Sequence, residues 1–173
     1  IATRSLNVWR QWTILVALAC LPATALAARA EPNTHQEMLR SLIAQDAAVA
    51  RVGYRLAIAN RDLCPRTAPL PGFLVHSPSQ YAPEYRADLR EVAGLSSGFG
   101  IAAVIDNSPA ERAGLRSGDI LLKVEGEAPA SPKAAKADYG PVEALNARLD
   151  EAMVDQTLEV AVLHRNGTQQ TLS

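Results

Sequence analysis

The pentapeptide GLSSG, residues 94–98, has the Gly-x-Ser-x-Gly spacing that surrounds the nucleophilic serine of many hydrolases. In that motif the serine follows a strand and precedes a helix, so that its hydroxyl stands on a sharp turn. Here a helix is predicted before the pentapeptide and a strand after it, which reverses the order. The only later histidine, His164, falls in a predicted hairpin. The sequence therefore argues against Ser96 as a nucleophile.

The histidines and cysteines lack the spacing of a metal site. The three histidines are dispersed along the chain, at His35, His76 and His164. No His-Glu-x-x-His motif occurs, and Cys64 has no cysteine at ligand spacing. Among the acidic residues, Glu111 fits a helix start and Asp119 fits a turn. No catalytic group, metal or cofactor is therefore predicted in these residues.

The composition describes one modest domain with appendages. The chain has 173 residues, a net charge of −1 and 5% aromatic residues. A chain of this length forms one ordinary core, and its charge offers no general attraction to nucleic acid or anionic lipid. No basic and aromatic residues interleave as they do in nucleic-acid-binding segments. Nucleic acid is therefore not an expected partner.

Residues 1–30 are predicted to be a secretory signal peptide. Two arginines precede the apolar run 14–21, and small residues follow, with cleavage expected near Ala27 or Ala30. The run is shorter than the roughly 20 apolar residues that a membrane-spanning helix needs. The expected location is the periplasm or the exterior, with membrane contact only through the uncleaved signal.

Cys64 is the one cysteine outside the predicted signal peptide. In an oxidising compartment a single thiol has two interpretations, which are a small buried apolar residue and half of a disulfide. The chain begins at Ile1 and ends within an apparent strand. We therefore expect a longer protein, and the disulfide interpretation would place the partner of Cys64 beyond Ser173.

Residues 31–93 are predicted to form a helical N-terminal region with a proline-rich connector. Apolar residues recur every three or four positions from 34 to 60, which is typical of an amphipathic helix. The prolines of the connector, 64–72, end this helix. The segment FLVH, 73–76, is a candidate strand, and a second helix is expected to end at Gly94.

Residues 94–173 alternate strands and helices. A strand is predicted at 101–105, followed by a one-turn helix in which Ser108 and Glu111 form a capping box and Gly114 ends the turn. A second strand covers 120–124, with Ile120, Leu122 and Val124 on its apolar face. A mobile loop is expected at 128–141.

The last part of the chain predicts a helix and a hairpin. An apolar stripe marks the helix, at Val142, Leu145, Leu149 and Met153. Asn166-Gly167 between alternating segments is a strong signal for a two-residue hairpin turn. The hairpin is expected to close the sheet.

This order of elements resembles a bacterial PDZ domain of the periplasmic, protease-associated type. The resemblance rests on SPAERAGLRSGDILLKVEGE (108–127), VEALNARL (142–149) and LEVAVLHRNG (158–167). It covers residues 94–173, with the last strand expected to be incomplete. It implies an α+β fold, namely a small, partly open β-barrel or sandwich flanked by two helices and preceded by the helical N-terminal region.

The resemblance implies binding of extended or C-terminal peptides by addition of a strand to a sheet edge. The expected peptide-binding residues are Gly94, Leu95, Ser96, Ser97, Gly98, Phe99, Gly100 and Ile101 in the loop and strand, with Leu145 and Leu149 on the helix. Two alternatives remain open at these positions. Gly98 and Gly100 also fit a strand entry with a turn, and the two leucines also fit a core stripe.

Two further functional interpretations remain open. The family often accompanies proteases, so the chain is alternatively the non-catalytic N-terminal part of an envelope protease. The leading version of this alternative places a His-Glu-x-x-His zinc peptidase domain beyond Ser173. In the third interpretation the domain is a structural support whose groove is filled by its own 31–93 region.

Overall fold

The computed structural model describes residues 34–130, 135–153 and 157–173, which belong to a compact unit spanning Pro32–Ser173. The predicted signal peptide lies outside the described residues. Within these ranges no helix combines the length and the apolar character needed to cross a bilayer.

A long helix, α1 (Thr34–Asn60), opens the described chain and has the bounds that its periodicity predicted. It continues through Gly53 without interruption. Its N-terminal half packs on α2 (Arg86–Ala93), where Leu39, Leu89 and Leu95 are fully buried in one cluster. α2 ends at Gly94, whose φ of 71° gives the predicted left-handed cap.

The sheet is antiparallel, with five strands in the order β1-β2-β3-β4-β5. The strands are β1 (Phe73–His76), β2 (Phe99–Val104), β3 (Ile120–Val124), β4 (Val160–Leu163) and β5 (Gln169–Leu172). β1 and β5 are therefore the two edge strands of this sheet. The sheet begins at Phe73, ahead of the domain boundary expected at residue 94.

The one-turn helix α3 (Pro109–Ala113) has its predicted caps, with one difference in the hydrogen bonding. The Ser108 hydroxyl accepts a hydrogen bond from the Glu111 N–H at 3.2 Å. The Glu111 carboxylate, however, accepts from the N–H of Asn107 at 2.7 Å. The Ser108 N–H donates to the Ile105 carbonyl instead. The reciprocal half of the predicted capping box is thus displaced by one residue.

The predicted apolar face of β3 is wrong. Leu121 and Val124 are buried, whereas Ile120 and Leu122 are only partly buried. The pairing register with β4 shifts between Leu121 and Lys123. Such a bulge interrupts the two-residue alternation, so the buried side of the strand changes at this point.

The main core lies between the sheet and α4 (Gly140–Ala152). The predicted helical stripe is buried as expected, at Val142, Leu145, Leu149 and Met153. The described elements thus combine helices with one open antiparallel sheet behind a helical N-terminal region, which confirms the predicted α+β class.

A histidine–carboxylate contact joins the β4–β5 hairpin to the turn before β3. His164 Nδ1 lies 2.9 Å from Asp119 Oδ1, and His164 Nε2 lies 3.1 Å from Gln170 Oε1. The other carboxylate oxygen of Asp119 accepts from the Arg116 N–H at 2.8 Å. Hydrogen bonding to Asp119, supported by Gln170, raises the pKa of His164 above 6.5.

We expect His164→Gln to destabilise the protein most at low pH. A histidine whose pKa is raised by folding contributes its full stabilisation below the unfolded-state pKa of 6.5, and loses it as the pH rises through the folded-state pKa. The difference in unfolding free energy between the natural chain and the variant should therefore shrink on going from acidic to basic pH. Urea unfolding at a series of pH values measures this difference, and a difference that grows with pH would contradict the assignment.

Candidate functional site

The outer edge of β1 is open among the described residues. The Ile105 N–H donates to the Gly72 carbonyl at 2.8 Å, so the antiparallel alternation turns the backbone of Leu74 toward β2 and that of Phe73 away from it. Phe73 therefore presents its N–H and C=O at the outer edge.

The second half of β1 also presents backbone groups outward. The register shifts between Leu74 and Val75, after which His76 pairs with Gly100. The Ile101 N–H donates to the Asp119 carbonyl at 2.8 Å, on the side of β2 that faces away from β1. Because backbone groups alternate in direction along a strand, the N–H and C=O of the preceding residue, Gly100, point toward His76 in β1. The N–H and C=O of Val75 are consequently directed away from β2, but Val75 is only 4% exposed, so the accessible part of this edge lies at Phe73.

An apolar hollow lies where β1 begins and α4 ends. Its volume is about 190 Å³, and α4 also contacts β1. Its lining comes from the connector, β1, α3, the end of α4 and the closing strands, and includes Leu70, Phe73, Ala113, Met153, Leu158 and Leu172. The hollow has room for an aliphatic side chain.

The loop before β1 is held by its own backbone. The Pro71 carbonyl accepts from the Ala110 N–H at 3.0 Å, which ties the loop to the start of α3. Gly72 has a φ of 83°, and a Cβ at this position would overlap Ser108. The two prolines of the loop have no N–H, and the backbone of Gly72 points toward Ile105 in the neighbouring strand. The N–H groups of Leu70 and Phe73 are therefore the donors that this loop offers beside the hollow.

The predicted strand residues of the site do not offer a free edge. Phe99, Gly100 and Ile101 lie in β2, an interior strand with β1 on one side and β3 on the other. Their backbone groups are therefore used within the sheet. The edge of β2 is filled by β1, which comes from the 31–93 region. That added strand, however, has an open edge of its own.

The predicted loop residues lie at the His76 end of β1. Residues 94–98 connect α2 to β2 and approach the His76 end of β1, because His76 pairs with Gly100. The hollow adjoins the Phe73 end instead. Leu95 is fully buried in the cluster with Leu39, while Ser96 and Ser97 are exposed. Gly94 caps α2, and Gly98 adopts a φ of 72° before the strand. The structure therefore agrees with the alternative interpretation, in which these glycines form a turn and the entry to a strand.

The two predicted helix residues are core residues. Leu145 is 3% exposed and Leu149 is 5% exposed, and both belong to the main cluster under the sheet. Neither lines the hollow described above. Of the two interpretations, the core stripe is the correct one.

Sequence reasoning missed the segment Gly72–Val75. Its signal is a glycine followed by three apolar residues, directly after a proline-rich stretch. A short apolar run with no polar alternation does not reveal whether the strand is central or at an edge. The connector was therefore assigned to the N-terminal region and not to the site.

His76 closes the other end of β1. It is 4% exposed, its Nδ1 lies 3.4 Å from the Tyr81 hydroxyl, and burial lowers its pKa from 6.5 to about 4. Burial also raises the pKa of Tyr81 to about 12. Both side chains are therefore neutral at physiological pH.

The other candidate residues are separated from one another. Ser96 stands on the turn between a helix and a strand, the order that its sequence context predicted. In the described ranges, no three histidine, cysteine or acidic side chains gather as metal ligands would. Cys64 is exposed, which contradicts the interpretation of a buried apolar residue. Its disulfide to a later cysteine stays a prediction.

The comparison with family models agrees with the PDZ resemblance of the sequence. The family model described as "PDZ domain" matches residues 100–137, from β2 through β3 into the following loop. Residues 100–137 thus match a PDZ domain, as the sequence resemblance predicted. A search of curated proteins returned no significant match.

Two solved structures are similar to part of the chain. One is titled as an HtrA-type protease, AlgW, with a decapeptide, at 27% identity and a TM-score of 0.41. It matches 61% of this chain, which spans only 27% of that protein's length. The other is titled as the HtrA3 PDZ domain bound to the phage-derived ligand FGRWV, at 24% identity and a TM-score of 0.37. It matches 60% of this chain and 80% of its own.

Proposed function

We propose that this domain binds an extended peptide by strand addition at the outer edge of β1, alongside α4. The observation that carries the proposal is the open edge of β1 beside the apolar hollow, in a chain that contains a PDZ domain. An unpaired strand edge offers a row of N–H and C=O groups that another chain can pair with. The outward groups of Phe73 would form the first rung of that pairing.

The end of the ligand is proposed to lie at the loop 69–72. A peptide antiparallel to β1 brings its C-terminus to the Phe73 end of the strand, next to the hollow. An apolar last side chain would enter the hollow, whose lining is largely aliphatic. The terminal carboxylate would then accept from the N–H groups of Leu70 and Phe73, and hydrogen bonds to a charged acceptor are stronger than neutral ones.

Amidation of the ligand tests the carboxylate. We expect peptides from a free-C-terminus library to lose about tenfold or more in affinity when the same sequences carry a C-terminal amide, because the charged acceptor is lost. Fluorescence polarisation with labelled peptide pairs measures both forms. Equal binding of acid and amide would reject carboxylate recognition while leaving strand addition open.

Filling the hollow tests the position of the site. Ala113 lines the hollow from α3, so Ala113→Leu should reduce affinity for peptides with an apolar last residue by about tenfold or more. Ala144→Leu adds the same atoms at an exposed position of α4 and should leave the affinity unchanged. A folded Ala113→Leu protein with unaltered affinity would show that the peptide binds elsewhere.

The cellular context is also part of the proposal. Export to the periplasm or exterior is supported by the arginines, apolar run and small residues of 1–30. N-terminal sequencing of the protein recovered from a periplasmic fraction tests it, and a retained residue 1–30 segment in the cytoplasm would reject it. Association with an envelope protease is supported only by the frequent occurrence of PDZ domains in proteases. The reading frame beyond Ser173 tests this association.

A further inference from the structure

The helix α1 has two apolar faces, and only one of them is packed in the described structure. The packed face carries Leu39, Ile43, Ala47 and Tyr54, which are buried or partly buried. Leu39 and Ile43 contact the cluster around α2, and Tyr54 reaches Gly72. This face accounts for the attachment of the helix to the domain.

The second face is exposed. Its five apolar residues, which we call the α1 seam, are Met38, Leu42, Val49, Val52 and Leu56, and their exposed fractions range from 36% to 72%. At about 100° per residue, the seam points about 140° away from the packed face. An apolar strip along one helix, directed away from its own domain, is typical of an interaction surface.

The spacing of the seam is that of a coiled coil. Its members follow one another at intervals of four, seven, three and four residues. Gln45 divides the interval of seven into three and four, so the run keeps the alternating steps of a heptad a/d pattern from 38 to 56. A polar residue within such a run lowers the stability of the pairing. The seam contains no charged residue, so it can pair with its own copy without burying a charge.

We propose that the occupant of the α1 seam is a second copy of this chain, in a two-fold helix pair. The five residues are 36% to 72% exposed, so complete burial of their exposed surface in a pair would cover at most about 900 Å², below the roughly 1,000 Å² of a stable specific interface, and the pair is therefore a weak one. A two-fold pair is self-complementary and closed, so it ends at the dimer. Because the seam faces away from the rest of the domain, both copies keep the edge of β1 free.

Sedimentation equilibrium on the purified chain tests the proposal. We expect a concentration-dependent dimer with a dissociation constant on the order of micromolar to hundreds of micromolar, given the small area. Val49→Glu and Val52→Glu place a carboxylate in the seam and should each weaken dimerisation by about tenfold or more. Both positions are exposed in the single chain, so the variants should fold normally, which circular dichroism checks.

A matched control uses the same substituent on the same helix. Ala44 is exposed and lies outside the seam, so Ala44→Glu should dimerise like the natural chain. A natural chain that stays monomeric at all concentrations overturns the proposal. So does a dimer that Val49→Glu and Val52→Glu leave intact. A monomer that instead binds phosphatidylethanolamine–phosphatidylglycerol vesicles, and loses this binding in the same variants, assigns the seam to a lipid surface and overturns it too.

Discussion

Gly72→Ala is expected to lower the free energy of unfolding by about 3 kcal/mol or more and to abolish peptide binding. Gly72 has a φ of 83°, where an added side chain is strained, and the new Cβ would overlap the Cβ of Ser108. Ser108 is fully buried at the start of α3 and cannot move aside without disturbing that helix. The loop before β1 would have to shift, together with the donors of Leu70 and Phe73. Chemical denaturation and peptide titration measure the two effects.

Gly94→Ala is the matched control for this prediction. Gly94 has a φ of 71°, but no heavy atom lies within 4 Å of an added Cβ. Only the backbone strain remains, so the expected loss is about 1 kcal/mol, with little change in peptide affinity. Similar losses for the two variants would mean that the contact with Ser108 is unimportant.

Leu149→Ala is expected to destabilise the protein by about 2 to 4 kcal/mol. Leu149 is buried between α4 and the sheet, so truncation removes apolar contacts and leaves a cavity. Leu63→Ala makes the same truncation at a side chain that is 80% exposed, and should change stability by less than about 0.5 kcal/mol. Urea denaturation of the three proteins gives the comparison.

The same pair of variants separates a core role from a groove role. If Leu149 lined an open groove, its truncation would reduce peptide affinity with only a small change in stability. A loss below about 1 kcal/mol for Leu149→Ala would therefore contradict the burial seen here. Peptide titration of the folded variant, at a temperature well below its unfolding midpoint, provides the second measurement.

The separation of the predicted site residues from the hollow has a physical cause. The sequence resemblance directed attention to the glycines at 94–100, because it implies a glycine-rich loop that binds the ligand carboxylate. Whether a strand is interior depends on which other strand pairs with it, and β1 is more than twenty residues earlier in the chain. That pairing also uses the bulge at Leu74 and Val75, which no local pattern announces.

Local chemistry was sufficient for several elements of this protein. The periodicity of α1, the capping residues of α3, the left-handed glycine after α2 and the apolar stripe of α4 act within one or two turns of chain, so the sequence alone determined them. The tertiary structure decided that β1 is an edge strand, that β2 is enclosed, and that the hollow forms beside Phe73 and Met153. These features depend on contacts between distant segments, whose free energies are set by packing and pairing rather than by the residues of any one segment.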